Sequence, residues 1–217
     1  MALVVRDLQV CPYREALVQQ ESLVEQKLAG DPNDYLLLLE HEPVFTLGRG
    51  ADERDLLGAD SALGVEAIRV GRGGGVTFHG PGQIVAYPII SLNRSHHDVR
   101  AYVRALESVS IDCVRHFGVD GERQAGTPGV WVSGRKIASV GVGIRRWVTF
   151  HGVALNVSTD LTFFSRIVTC RMPGLRVTSL QRELGEAPDQ TAVRQAFIKA
   201  FRAEFEPRTD RWVEARA

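Results

Sequence analysis

Cysteine is scarce: the chain carries three in 217 residues, Cys11, Cys113 and Cys170. A low, odd count argues against a disulfide framework and fits a reducing compartment. An excess of charge is missing too. Lys plus Arg and Asp plus Glu each number 26, so the formal net charge is zero. That balance gives no reason to expect nucleic acid or a membrane surface as a partner. No run approaches the ~18 apolar residues of a membrane span. The opening "MALVVRDLQVCPYREA" meets Arg6 and Asp7 after a few apolar residues, so no signal peptide is expected and the setting reads as cytoplasmic. HExxH, CxxC and related spacings are absent, so no metal site is expected. G-x-S-x-G is also absent, which leaves a serine triad without support.

What is present is a mixture of short apolar strands and two good helices. "DYLLLLEH" reads as a buried strand, "VFTLGR" as a short strand or loop, and "QIVAYPIIS" as the clearest β run. "CPYREALVQQESLVEQKLAG" predicts a helix with Leu17, Leu23, Val24 and Leu28 on one face and Gly30 at its end. "HHDVRAYVRALESVSIDCVRHFGV" predicts a second helix with a stripe of Val103, Leu106, Ser110, Cys113 and Phe117. "GVWVSGRKIASVGVGIRRWVTFHGVALNVS" predicts three or four strands, the first two forming a hairpin around "SGRK". A helical tail follows, about residues 190–217. Helices without strict β-α-β alternation point to an α+β or mixed α/β fold. One domain over residues 1–217 is expected, with the tail as an appended helix.

Three features carry chemistry. "GRGGGVTFHGPGQ", Gly71 to Gln83, places six glycines in thirteen positions, a backbone able to approach a ligand closely. It lacks the GK[ST] ending of a phosphate loop, and a strand follows it, unlike a dinucleotide fingerprint. Its N–H groups and Arg72 are candidates to hold a carbonyl or phosphate, and Thr77, His79 and Gln83 alternate onto one face. The second feature is Lys136, in a small-residue strand where an ammonium needs either a partner or an outlet to solvent. A thiolate is a suitable partner, because a neighbouring cation lowers a thiol's pKa from its free value near ~8.5. The third is the thiols. Cys113 falls on the apolar stripe of a helix and Cys11 at a helix start, both structural positions; Cys170 falls between a β-like run and a Pro-Gly turn, a position suited to a cleft. His79 and His151 each occur in "FHG", which hints at a shared cleft.

The blocks "HEPVFTLGR", "RGGGVTFHGPGQIVAYPI", "GRKIASVGVGI", "HGVALNV", and "IVTC" followed by "VTSL" together resemble the octanoyltransferases of lipoate synthesis. They span roughly residues 40 to 180, in the family's order. The resemblance implies a fold shared with lipoate- and biotin-protein ligases, a mixed central sheet flanked by helices. It implies an octanoyl group taken from the phosphopantetheine of an acyl carrier protein and passed to a lysine of lipoyl domains, those of 2-oxoacid dehydrogenase complexes and the glycine cleavage H protein, with no other cofactor. Cys170 corresponds to the family's nucleophile and Lys136 to its lysine. The substrate-lining segments correspond to Arg72, Gly73, Gly74, Gly75, Val76, Thr77, Phe78 and His79, to Ser139, Val140 and Gly141, and to Gly152, Val153 and Ala154. The family usually has proline before the nucleophile and glycine after it; here Thr169 and Arg171 stand there.

The chemistry implied is a two-step acyl transfer through a thioester on Cys170, with Lys136 pairing with the thiolate and moving protons. An eight-carbon tail needs an apolar slot; six buried methylenes contribute roughly 5 kcal/mol. The competing expectation is an ATP-dependent lipoate or biotin ligase on the same fold, which makes an acyl-adenylate and needs no cysteine.

Overall fold

In the computed structural model, residues 2–57, 64–94, 98–168 and 174–206 are described. β1 (Leu3–Val10) leads through α1 (Tyr13–Leu28) to β2 (Asp34–Glu40), and the two strands pair in parallel. The other large strands are β6 (Gln83–Ile89), β7 (Glu122–Gln124), β8 (Thr127–Val132), β9 (Arg135–Arg145) and β10 (Val148–Asn156). They complete a seven-stranded sheet in the order β1-β2-β6-β10-β9-β8-β7, antiparallel at every pair but the first. A second, three-stranded sheet has the order β4-β3-β5, built from β3 (Val44–Leu47), β4 (Glu66–Arg69) and β5 (Val76–His79). Its β3–β4 pair is parallel and its β3–β5 pair antiparallel. The whole is a single mixed α/β domain.

The unbroken apolar run of β2 is explained by burial on both faces. Tyr35, Leu37 and Leu39 pack with Ala16, Leu23 and Val24 of α1. Leu36 and Leu38 join a larger cluster on the opposite face. That cluster takes Leu106, Val109 and Cys113 from α2 (Val99–Arg115) and Val193, Phe197 and Phe201 from α4 (Gln190–Phe205). The tail helix is therefore part of the core layer rather than an appendage; residues 207–217 lie outside the described residues. Both helices start on aspartate caps, Asp98 accepting from the Ala101 N–H and Asp189 from those of Thr191 and Ala192.

Each predicted helix stripe is shifted. In α1 the buried face is Ala16, Gln20, Leu23, Val24 and Lys27, while Leu17 and Leu28 are only half-buried. Two polar side chains take inward positions because each finds partners there. The Lys27 ammonium donates to Asn33 O and to Asp34, both at 2.7 Å, and Gln20 accepts from a strand N–H described below. In α2, Tyr102, Ala105 and Val109 are inward, and Val103 and Phe117 are half-buried.

The predicted hairpin around "SGRK" forms between β8 and β9. Its turn residues Ser133 and Gly134 have φ of 48° and 73°. Arg146 and Trp147 join β9 to β10 with φ of 46° and 67°. Two consecutive positive-φ residues are the mark of a type I′ turn, whose twist matches that of the strands it joins. These two turns set the register of β8, β9 and β10, the strands that build one wall of the cleft.

Candidate active site

A cleft lies where β5 and the glycine loop before it face β6, β9 and β10. Its inner chamber, about 40 Å³, is lined by Tyr13, Arg72, Gly73, Gly74, Gly75, Val76, Thr77, His79, Tyr87, Lys136, Ser139, Val140, Gly141, His151, Gly152, Val153 and Ala154. An outer vestibule of about 380 Å³ adds Gly50, Val103, Gly126, Thr127, Pro128 and Val142. Gly73, Gly74, Gly75, Lys136, Val140 and Gly141 line both. Lys136 thus stands at the junction of a narrow chamber and an open mouth.

The structure brings together every residue of the expected substrate-lining set except Phe78. Side chains alternate along a strand. Thr77 and His79 turn into the cleft, and Phe78 turns away to pack with Phe45, Phe163 and Phe164. Tyr13 and Tyr87 were not foreseen. They come from the first turn of α1 and from the α1-facing side of β6, and no local pattern links them to the glycine loop.

Arg72 lines the chamber and also has a structural task. Its guanidinium folds inward, Nη2 donating to Thr46 O and Oγ1 at 2.8 Å each and Nη1 to Gly73 O at 2.9 Å. Backbone N–H groups of Gly48, Arg49 and Gly50 donate to Gly75, Arg72 and Gly74 carbonyls. The arginine and these bonds fasten the loop to β3 and fix one wall of the cleft.

Lys136 is buried, 3% exposed, which excludes the alternative that it reaches solvent from a strand edge. Its ammonium lies 5.4 Å from the centroid of the Trp131 ring, a favourable cation–π position. Its path is cleared by Gly129, whose φ is +134° and where a Cβ would meet Lys136 Cε and Ala138 O at 2.5 Å each. Buried Glu107 of α2 holds that glycine, accepting from its N–H at 2.9 Å. The Lys136 backbone is anchored as well: its N–H donates to Arg176 O at 2.8 Å and its carbonyl accepts from Thr178 N at 2.9 Å. The chain returning from the cysteine-bearing segment is thereby laid beside Lys136, with Val177 bridged to it. Cys170 itself, with Thr169 and Arg171, lies outside the described residues, so the expected contact of thiol and amine is not among the observed ones. Cys11 and Cys113 are buried, as expected for structural thiols. Burial pushes Cys113 up to about 12, and burial, reinforced by Glu15, raises Cys11.

The floor of the chamber is a packed group of rings. Tyr13 and His41 centroids are 4.9 Å apart, His41 and His79 5.7 Å, Tyr87 and His151 6.0 Å. The expected convergence of His79 and His151 on one cleft is observed. Burial lowers all three histidines, His41 to about 4, His151 to about 3, and His79 well below the ordinary range. Nearby Arg72 adds to the effect on His79 and His151. All three are neutral at pH 7. The hydrogen bonds then assign tautomers. His41 Nδ1 donates to Cys11 O at 2.7 Å, so its Nε2 accepts from the Tyr87 hydroxyl at 2.8 Å. His79 Nδ1 donates to Gln83 Oε1 at 2.8 Å, because the Gln83 amide N–H groups already serve Phe78 O and Asn156. Among the described residues no cluster of three His, Cys, Asp or Glu side chains is arranged to hold a metal ion.

Comparison with known proteins settles the family. The lipoyl protein ligase A/B catalytic domain matches residues 12–202. The chain belongs to that family. It is 46% identical over 207 residues to the octanoyltransferase of Geotalea uraniireducens, covering 94% of this chain and 95% of that one. It is 44% identical over 199 residues to the octanoyltransferase of Syntrophotalea carbinolica, 92% of each chain. Its fold is similar to that of lipoate-protein ligase A bound with ATP, TM-score 0.79 at 18% identity over 94% of this chain and 85% of that one. It is more loosely similar to biotin protein ligase from Aquifex aeolicus, TM-score 0.56 at 13% identity over 94% and 70%. The expected kinship with lipoate- and biotin-protein ligases holds at the level of the fold. Among the described residues no helix is long and apolar enough to cross a membrane.

Proposed function

We propose that this chain is an octanoyltransferase of protein lipoylation, moving an octanoyl group from octanoyl-acyl carrier protein to a lysine of lipoyl domains through a thioester on Cys170. The carrying observation is Lys136, a buried lysine at the point where chamber and vestibule meet. The vestibule suits a phosphopantetheine arm, and the chamber suits the acyl tail.

In the first step the Cys170 thiolate attacks the thioester carbonyl. The carbon–sulfur bond to phosphopantetheine breaks, and the departing thiolate takes a proton from the Lys136 ammonium. In the second step the acceptor lysine's amine attacks the octanoyl-Cys170 carbonyl. Its proton passes to the now neutral Lys136, and Cys170 leaves as a thiolate, restoring the starting state. Thioester exchange is nearly balanced and the amide product is lower in energy, so neither ATP nor a further cofactor enters. Two further observations support the reading. Cys11 and Cys113 are buried with raised pKa values, which leaves Cys170 as the reactive thiol. Val177, seven positions after Cys170 in the sequence, is bridged to Lys136. The reading carries a cytoplasmic setting, where free thiols persist.

The test is the intact mass of the protein after incubation with octanoyl-acyl carrier protein. One octanoyl adduct is expected on the wild type and none on Cys170→Ser. An adduct on Cys11 or Cys113 of that variant would reassign the nucleophile. Strong ATP–pyrophosphate exchange with free octanoic acid, without an adduct, would favour the ligase instead.

A further inference from the structure

His151 is the most irregular side chain in the cleft. Its φ is +54°, a left-handed conformation in the middle of a strand. The buried Gln20 holds it there by accepting from its N–H at 2.7 Å. The imidazole is 1% exposed, and neither ring nitrogen has a hydrogen-bond partner among the described residues. Both conditions are unfavourable in a plain structural residue, and such outliers concentrate where a site needs them. The ring lines the inner chamber, so the chamber is the place from which its nitrogens are satisfied.

The β9–β10 ladder says how far along the cleft this ring lies. Ala138 is paired with Leu155, Ser139 with Ala154, Gly141 with Gly152 and Val142 with His151. Four residues separate the first pair from the last, about 13 Å along the strands. Lys136 precedes the first pair, at the other end. Ser139, Gly141, Gly152 and Ala154 give the stretch between them small side chains or none. Beyond Gly141 the lane is plugged: a Cβ on Gly143 would meet the Phe150 ring at 2.4 Å. An extended eight-carbon acyl chain has seven C–C bonds and measures about 9 Å. Begun level with the Ala138–Leu155 pair, on the Lys136 side of the lane, it ends about 4 Å short of the His151 pair, close to contact distance, whereas a ten-carbon chain of about 11 Å leaves only about 2 Å.

We propose that His151 is a specificity-determining residue, a polar end wall that selects an eight-carbon acyl chain over longer ones. The inference rests on the octanoyl reading above. With eight carbons, the last methyl stops short of the imidazole, and solvent trapped at the wall serves its nitrogens. With ten, methylenes displace that solvent and press on nitrogens that have no partner among the described residues. Thr77 Oγ1, another chamber-lining atom with no partner among the described residues, has the same need.

The experiment measures acyl-enzyme formation from acyl-carrier proteins bearing 8, 10 and 12 carbons, as ratios of kcat/KM. His151→Gly removes the wall and accepts the left-handed backbone; His151→Asn tolerates that backbone and keeps a shorter polar group. The ratio of ten to eight carbons should rise about tenfold or more in the glycine variant, and less in the asparagine variant. Added imidazole should restore the preference for eight in His151→Gly. An unchanged ratio in a folded glycine variant overturns the proposal. A readout on the wild type guards against misfolding: the His151 ring resonance should move when the enzyme is loaded with octanoyl and stay in place with butanoyl. The same shift for both chains also overturns it. Failure of the wild type to form any acyl adduct would sink the octanoyl reading itself, a result distinct from an adduct formed without length preference.

Discussion

Replacing Gly129 by alanine should disarm Lys136 without touching it. The added Cβ would lie 2.5 Å from both Ala138 O and Lys136 Cε, and 3.1 Å from the ammonium nitrogen. The carbonyl belongs to a paired strand and cannot retreat, so the lysine must move. The φ of +134° adds strain for any residue with a Cβ. Backbone strain of about 1–3 kcal/mol and overpacking of about 1–3 kcal/mol together predict a loss of roughly 2–6 kcal/mol. For a domain of this size that is a fall in Tm of about 5–20 °C. Displacing the amine by about 1 Å should cost on the order of 100-fold in acyl transfer. The assay pairs differential scanning fluorimetry with the rate of octanoyl-enzyme formation at a temperature where the variant is folded. Glu107→Gln is the control: its amide oxygen still accepts from the Gly129 N–H, so the rate should stay within a few-fold of wild type. A folded Gly129→Ala variant that acylates at the wild-type rate would refute the view that the route of Lys136 past this glycine sets its reactivity.

Three other outcomes follow. Lys136→Ala should slow iodoacetamide labelling of Cys170 at neutral pH by about tenfold or more: an ammonium ~4 Å away at an effective dielectric of ~20 attracts a thiolate by about 4 kcal/mol, part of it cancelled by desolvation, and unchanged labelling would remove the ion pair. Stability to urea should fall as pH drops below about 6.5, because His41 and His151 titrate near 4 and 3 when folded and near 6.5 when unfolded. The unfolded chain then binds more protons than the folded one, and together the two histidines should cost about 5 kcal/mol between pH 7 and 4.5; a flat profile would show that these rings are not buried neutral. Tyr87→Phe should lose about 1–3 kcal/mol by leaving His41 Nε2 without its donor, and an unchanged urea midpoint would place that bond outside the folded-state balance.

The sheet was legible because its central strands are buried on both sides and read as unbroken apolar runs. The hairpin at "SGRK" was legible because Ser-Gly supplies the two left-handed residues its turn needs. The second sheet was not, since β3 and β4 pair in parallel across a long connection that no short-range pattern announces. The helices were found, but each face was shifted by polar residues with partners elsewhere: Gln20 turns inward to serve a strand N–H contributed by residue 151. At the site, alternation already grouped Thr77 with His79; it was the contiguous block resemblance that brought in Phe78, which the pleat turns away. Arg72 was legible as a lining residue, but its second task was not: the carbonyls that its guanidinium fastens come from β3 and from the next residue, and only the fold brings them within reach. Tyr13 and Tyr87 enter from separate elements, and only the closed fold makes them neighbours of His79.

The geometry also ties selectivity to folding. Lys136 opens β9 beside one tight turn, and His151 interrupts β10 shortly after the other. Between them, small residues line the slot together with Val140 and Val153, which also pack with the α2 layer. A strand has a side-chain period of two, so a one-residue slip of β9 and β10 together would turn the small residues out of the slot and empty the valines' places in the core. Two features oppose that slip. The type I′ turns fix loop length at both ends of β9, and Gly152 fits its position because a Cβ there would meet Ala86 O at 2.4 Å. The distance from amine to imidazole is therefore a count of backbone residues, unlike a wall made of flexible side chains. Inserting a residue into β9 should abolish the slot rather than lengthen it, whereas changes at residue 151 alone can move its end.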